Sequence, residues 1–248
     1  MPTARHLPSA PITEAIFDIR VKARGDFSAD QFSSLKPRLN EMFPKVDERL
    51  YGEVKIRLRP SDEIPVELAD SGLYGFFFKS EDEKLIAQFR IDGFTLNRLK
   101  PYTSWDELFP TAIDLWRTYA SVARPEAIIR LALRYINHIP LPSSFTDLEL
   151  YLHSAPSIPP ELPQNIRSYF ARATIYNQEN DISAHIIQNI NRDAKSNGII
   201  LIFDIDAFRE IDISPEDQIL IEVFNQLREF KNLIFFSYLT DNILRRFE

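Results

Sequence analysis

Four arginines and three acids fall at alternate positions of segments that read as strands, and the chemistry that spacing offers first is pairing of guanidinium with carboxylate. In ITEAIFDIRVK, residues 12–22, Ala15, Phe17, Ile19 and Val21 share one face, and Glu14, Ile16, Asp18 and Arg20 the other, the period of a half-buried strand. EAIIRLALRYINHI, residues 126–139, likewise sets Ile129, Leu131, Leu133 and Tyr135 against Arg130, Ala132, Arg134 and His138. Arg90, Asn97 and Asp204 take the polar side of further strands. Such a face either laces itself together through cross-strand ion pairs or forms a recognition surface, where Arg forks take carboxylate, phosphate or a partner's acids. Glu14, Asp18, Arg20, Arg130 and Arg134 are therefore the candidate binding residues, with Arg98 and Tyr102 expected nearby. Arg98 continues the apolar parity of Phe94 and Leu96, and Asn137 that of Leu133 and Tyr135, so each must be hydrogen-bonded or emerge at the rim of the sheet. PYTSW sets Tyr102 and Trp105 beside Arg98, as a packing corner or one wall of a pocket.

Other chemistry finds less support. Asp204 and Asp206 in FDID share a strand face, with Asp212 shortly after, and alternate carboxylates suit a hard divalent cation. They suit a solvated strand end equally well, and no metal site is assigned. His6, His138, His153 and His185 lie far apart without ligand spacing, and the absence of Cys removes thiolate sites and disulfides together. With 6 Gly in the chain there is no G-x-x-x-x-G-K-[ST], no G-x-G-x-x-G and no G-x-S-x-G. No catalytic residue and no cofactor is assigned.

The elements that must carry these side chains occur in two rounds. Strand 12–22 leads to a helix over 29–43, capped by Ser28 and closed by Pro44, with Phe32, Leu35, Leu39 and Phe43 at helical spacing. Short strands are predicted near 53–59, 64–69, 73–79, 85–91 and 94–100, with Asp92-Gly93 as a two-residue hairpin turn. Ser104 then caps a helix holding Pro110. The second round opens at Pro125: the strand over 126–139, a short helix from Phe145-Thr146 to about 152, a Pro-rich loop over 154–164, and strands near 168–178, 182–191 and 198–206. Ser214-Pro215 starts a closing helix, with a break expected around Lys231-Asn232. FRIDGF (89–94) and FDIDAF (203–208) share an offset of 114, as do Arg20 and Arg134 and Pro11 and Pro125. The expected fold is α+β: two similar strand–helix–antiparallel-strands–helix halves, 1–124 and 125–248, forming a continuous curved sheet with helices on one face. That order of elements is like a TATA-binding-protein saddle or two helix-grip units side by side, a likeness of arrangement that says nothing of DNA.

The chain has 248 residues, 44% hydrophobic and 26% charged, with 36 acids against 29 bases. Net charge is −7 and the bases are scattered, which argues against a nucleic-acid footprint. No signal peptide and no membrane-spanning run is read, so a cytoplasmic location is expected.

APITEAIFDIR (10–20), DGFTLNRLKPYTSWDEL (92–108), RLALRYINHIPLP (130–142) and LREFKNLIFFSYLTD (227–241) together resemble a sporadically distributed prokaryotic family of unassigned function. The motifs are P-I-x-E-A, D-G-F-x-x-x-R-L-x-P-Y-x-x-W and R-Y-I-N. The resemblance implies one full-length unit and carries over no catalytic residues. The functional expectation is a non-enzymatic interaction or sensing module using the Arg-bearing sheet face, with a protein partner or a second copy of the chain. A metal-assisted hydrolase of a phosphorylated substrate and a binder of a small apolar or amphipathic ligand are the alternatives.

Overall fold

Among the described residues, alternation of apolar and polar side chains builds a single sheet of nine strands, all pairing antiparallel, with helices packed on its apolar face. The computed structural model describes residues 7–56, 66–142, 148–164, 166, 168–192, 198–215 and 217–248. The strands are β1 (Ile12–Lys22), β2 (Lys45–Ile56), β3 (Val66–Lys79), β4 (Leu85–Arg90), β5 (Gly93–Leu99), β6 (Ala127–Leu141), β7 (Tyr169–Asn177), β8 (Ile182–Arg192) and β9 (Ile199–Ile213). The helices are a single turn α1 (Lys36–Leu39), the long α2 (Trp105–Ala123) and α3 (Asp217–Tyr238), and a short α4 (Asp241–Leu244). The mixed α+β class is as expected.

Spatial order is β2-β3-β4-β5-β1-β6-β9-β8-β7. β1 and β6 pair at the middle, Phe17 opposite Leu133 and Ile19 opposite Leu131, and on its other side β1 sets Phe17 against Leu96 and Ile19 against Phe94. Read outward from this seam, the order is β1, β5, β4, β3, β2 on one side and β6, β9, β8, β7 on the other. The offset of 114 joins Arg20 to Arg134 across the seam, yet it joins Phe89 on β4 to Phe203 on β9, strands of different rank in the sheet. The expected equivalence of those two phenylalanines is therefore corrected.

The core lies where the strand alternation places it. Phe17, Ile19, Phe89, Phe94, Leu96, Leu131, Leu133, Phe203 and Ile205 are each at most 2% exposed. α2 covers the first group with Trp105, which packs on Phe17 at 5.4 Å between ring centroids, and with Tyr119, which meets Phe89 and Phe94. α3 brings Phe224 onto Phe17 and Phe235 onto Phe203. Ser104 caps α2 by accepting the Glu107 N–H, and Arg124 ends it in a left-handed conformation.

Several boundaries differ from the sequence expectation, each for a local reason. The helix over 29–43 is a 3-10 stretch, Ala29–Leu35, followed by the single turn α1, because Pro37 lacks the N–H that would continue an α-helix. Ser28 makes no side-chain cap there. Strands expected in three short pieces over 53–79 are the two long strands β2 and β3, and residues 57–65 lie outside the described residues. The hairpin between β4 and β5 turns on Ile91-Asp92, one residue earlier than expected, since Arg90 faces Gly93 in register. Gly93 sits at φ +154°, and a Cβ there would drive into the Ile19 carbonyl of β1. In the second half no turn follows Asp206: Ala207 is buried in mid-strand, and β9 runs on through Phe208, which faces away from the helices. Ile129, expected on the same face as Leu131 and Leu133, is 44% exposed because a register shift between Ile128 and Arg130 turns Ile128 inward instead. α3 passes unbroken through Lys231-Asn232. The helix start at Phe145-Thr146 lies outside the described residues; beyond it, 148–150 form a 3-10 turn.

Candidate functional site

The sheet face away from the helices carries a dense lattice of paired charges in neighbouring groups. Asp18, on β1, is its centre. One carboxylate oxygen accepts from the Thr95 hydroxyl at 2.7 Å and Arg90 Nη2 at 3.1 Å, the other from Arg20 Nε at 2.9 Å and Arg130 Nη1 at 3.3 Å. Asp92 bridges Arg90 Nε and Arg20 Nη1, at 3.0 and 2.9 Å. Across the seam, Arg130 reaches Asp206 at 3.0 Å, and Arg134 grips Asp204 with Nε at 2.9 Å and Nη2 at 2.6 Å. The Arg130 guanidinium also lies 4.6 Å over the Phe208 ring, which His185 packs against from β8. On the first side the lattice runs from Glu14 through Asn97 and Gln88 to Arg49 on β2.

Burial pushes the Asp18 carboxyl up, but the Thr95 hydroxyl and the Arg90 and Arg20 guanidinium groups outweigh it and hold it below the ordinary carboxylate value. Asp92 is lowered in the same manner, burial opposing and the Tyr74 hydroxyl with Arg90 and Arg20 prevailing. Hydrogen bonding to Asp204 raises Arg134. The groups differ in depth: the Arg90 side chain is 5% exposed and Asp18 13%, whereas Arg20 and Arg134 stand at 44% and 42%.

Glu14, Asp18, Arg20, Arg130 and Arg134 thus share one face as the alternation places them, although Glu14 pairs with Asn97 and not with an arginine. Arg98 and Tyr102 are not beside them. Arg98, next to last in β5, follows the parity of Phe94 and Leu96 to the helix side, with its Nε on the Pro101 carbonyl at 3.1 Å, and Tyr102, in the loop beyond β5, meets Tyr135 on that side, hydroxyl to hydroxyl at 3.0 Å. Asp204 and Asp206 share the open face, but with their oxygens on Arg134 and Arg130, and among the described residues no group of three potential metal ligands converges.

Tyr102 belongs to a second place, which the sequence reading only touched. Between the start of β1, the loop before α2 and the side of α3 lies a cavity of about 590 Å³. Its walls include Tyr102, Trp105, Tyr135, Arg228, Lys231 and Phe236. Lys231 is buried, its ammonium 3.8 Å over the Tyr135 ring. Burial, with Arg228 adding to it, pulls the Lys231 amine down to about 7. The signal for Lys231 was present in the sequence: it stands in the stripe Leu220, Phe224, Leu227, Ile234 at the position where an apolar residue belongs. Asn137 is buried beside it, with its amide on the Phe203 carbonyl at 2.9 Å.

A scan against protein-family models finds no match, and searches of curated proteins and of solved structures find none either. Among the described residues no helix is long and apolar enough to cross a membrane.

Proposed function

We propose that this chain is a non-enzymatic interaction module, acting in the cytoplasm, whose recognition surface is the sheet face opposite the helices. The observation that carries this reading is the way Arg20 and Arg134 are held. Each is fixed by an aspartate beneath it and left more than 40% exposed, and Arg20 Nη2 and Arg134 Nη1 make no hydrogen bond among the described residues. A guanidinium fixed in place with a donor to spare loses little freedom on meeting a carboxylate, which favours acidic side chains of a protein partner. Exposed Phe170 and Tyr176 on β7 flank the same face and add the aromatic anchors that interfaces use. Because the face carries both signs of charge, a second copy of the chain is one such partner. The strand order mirrored about the seam supports reading the halves 1–124 and 125–248 as two helix-grip-like units of one repeat, and the motifs support membership of the sporadic prokaryotic family they resemble.

The test is a partner purified with the wild-type chain and rebound at defined salt. The double variant Arg20→Gln/Arg134→Gln, which avoids setting new carboxylates against Asp18, Asp92 and Asp204, should bind it at least about tenfold more weakly while keeping the circular dichroism and cooperative unfolding of the wild type. Equal binding by a folded double variant overturns the reading. The cavity beside Lys231 favours a second reading, ligand binding, taken up next.

A further inference from the structure

We propose that the cavity between Tyr102, Tyr135 and α3 binds a small organic anion, its carboxylate seated on Lys231 and Arg228 and its apolar body against Trp105 and Phe236. This site is separate from the open sheet face, on the other side of the sheet, and stands or falls independently of it.

The argument starts from unspent donors. Lys231 is buried at the cavity wall, and among the described residues its ammonium has the Tyr135 ring as neighbour but neither a hydrogen-bond acceptor nor a carboxylate. A lysine has three N–H donors, and a buried cation without an anion is costly enough that folded chains rarely keep one without use. Arg228, one turn earlier on α3, also lines the cavity; its guanidinium lies 5.0 Å over Trp105, and it too has no ion pair among the described residues. Stacking of that kind leaves the edge of the fork free for an oxyanion. The hydroxyls of Tyr102 and Tyr135 bond to each other, so one of the two O–H groups is donated within the pair and the other remains to be given. Burial raises both phenols, which keeps them protonated as donors. Two cations and one hydroxyl therefore converge on space that no described side chain fills.

The rest of the wall chooses the ligand's other end. Trp105, Phe235 and Phe236 are apolar, and a cavity of about 590 Å³ is far larger than an inorganic ion requires. Among the described residues no glycine lines it, and none forms a close-approach backbone cradle for a polyphosphate. The occupant is accordingly an amphipathic carboxylate. Among the described residues, the titratable groups that line the cavity around the amine are Arg228 from its own helix, Tyr135 from β6, Tyr102 and Lys100 from the loop after β5, and Asp106 at the start of α2. Asp106 is the one acid among them, and it is exposed.

Decanoate is the probe. It should bind the full chain at one saturable site by calorimetry, and Lys231→Met and Arg228→Gln should each weaken it by at least tenfold. At pH 8, runs in buffers of different ionisation heat should show proton uptake on binding by the wild type and none by Lys231→Met. Decan-1-ol should bind at least tenfold more weakly than decanoate, and inorganic phosphate should not displace it at equal concentration. Absence of saturable decanoate binding overturns the proposal. So does undiminished affinity in a folded Lys231→Met chain, or decan-1-ol binding as tightly as decanoate. Phosphate binding more tightly than decanoate overturns the apolar-body assignment.

Discussion

At the scale of single residues, Asp18 and Lys231 are opposites. Asp18 is a largely buried carboxylate with four donors on it, and Lys231 a buried amine with no acceptor among the described residues. Their effects on stability have opposite signs in pH. The Lys231 amine, at about 7 when folded against an ordinary 10.5, is neutral over a range in which the unfolded chain keeps its proton. The unfolded state then binds more protons, so stability should rise from pH 7 toward 10, by on the order of 1 kcal/mol per pH unit. Lys231→Met should remove that slope and gain most at and below pH 7, as urea denaturation across pH 6–10 will read. Asp18 and Asp92, held below the ordinary 3.8, contribute stability that is fully present above that value and lost as pH falls through their lower folded values. Asp18→Asn should cost about 1–3 kcal/mol at pH 7, because Arg90, 5% exposed, then keeps Asp92 alone as its counter-ion, and should shrink the acid-side loss. An Asp18→Asn chain as stable as wild type at pH 7 would show the lattice to be decoration.

At the scale of elements, close approach decides more than propensity. Gly93 admits the Ile19 carbonyl of β1, and Gly75 admits the Phe89 carbonyl of β4, each in space a Cβ would occupy. Gly93→Ala combines that clash with a φ unsuited to a side chain, and should lower stability by at least about 2 kcal/mol in chemical denaturation; a neutral result would mean β1 and β5 sit further apart than described. Much at this scale was legible in the sequence, since a period of two assigns faces wherever a strand is regular. Phe17, Leu133 and Arg134 therefore fall where their parity puts them. What was not legible came from irregularity or from long range. The shift at Ile129 reverses a face with no glycine to announce it. The long strand β9 shows that Asp206-Ala207 cannot turn as a glycine-bearing pair does. Arg98 and Tyr102 were expected near the open face and its rim, although the parity of Arg98 with Phe94 and Leu96 already pointed to the helix side. Lys231 passed unnoticed as a site because a lysine inside an amphipathic helix reads as a helix boundary until the partner surface is known.

At the scale of the whole molecule, the pairing of β1 with β6 is the feature on which the rest depends. Ile12–Lys22 and Ala127–Leu141 meet along nearly the full length of β1, and both the buried stripe of Phe17, Ile19, Leu131 and Leu133 and the Asp18–Arg130 ion pair cross that seam. Between the halves the chain passes through Arg124, exposed and ending α2. The covalent link there is one peptide among a row of cross-strand hydrogen bonds. A chain severed between Arg124 and Pro125 should consequently behave as two complementary polypeptides. Produced together, 1–124 and 125–248 should co-purify as a one-to-one complex with the far-ultraviolet circular dichroism of the intact chain, and produced alone each should aggregate through its bare seam strand. Independent, monomeric, stable halves would show the seam to be dispensable. Reassembly would make the molecule a built-in reporter, in which two proteins of interest fused to the cut ends restore the fold only when they bring β1 and β6 back together.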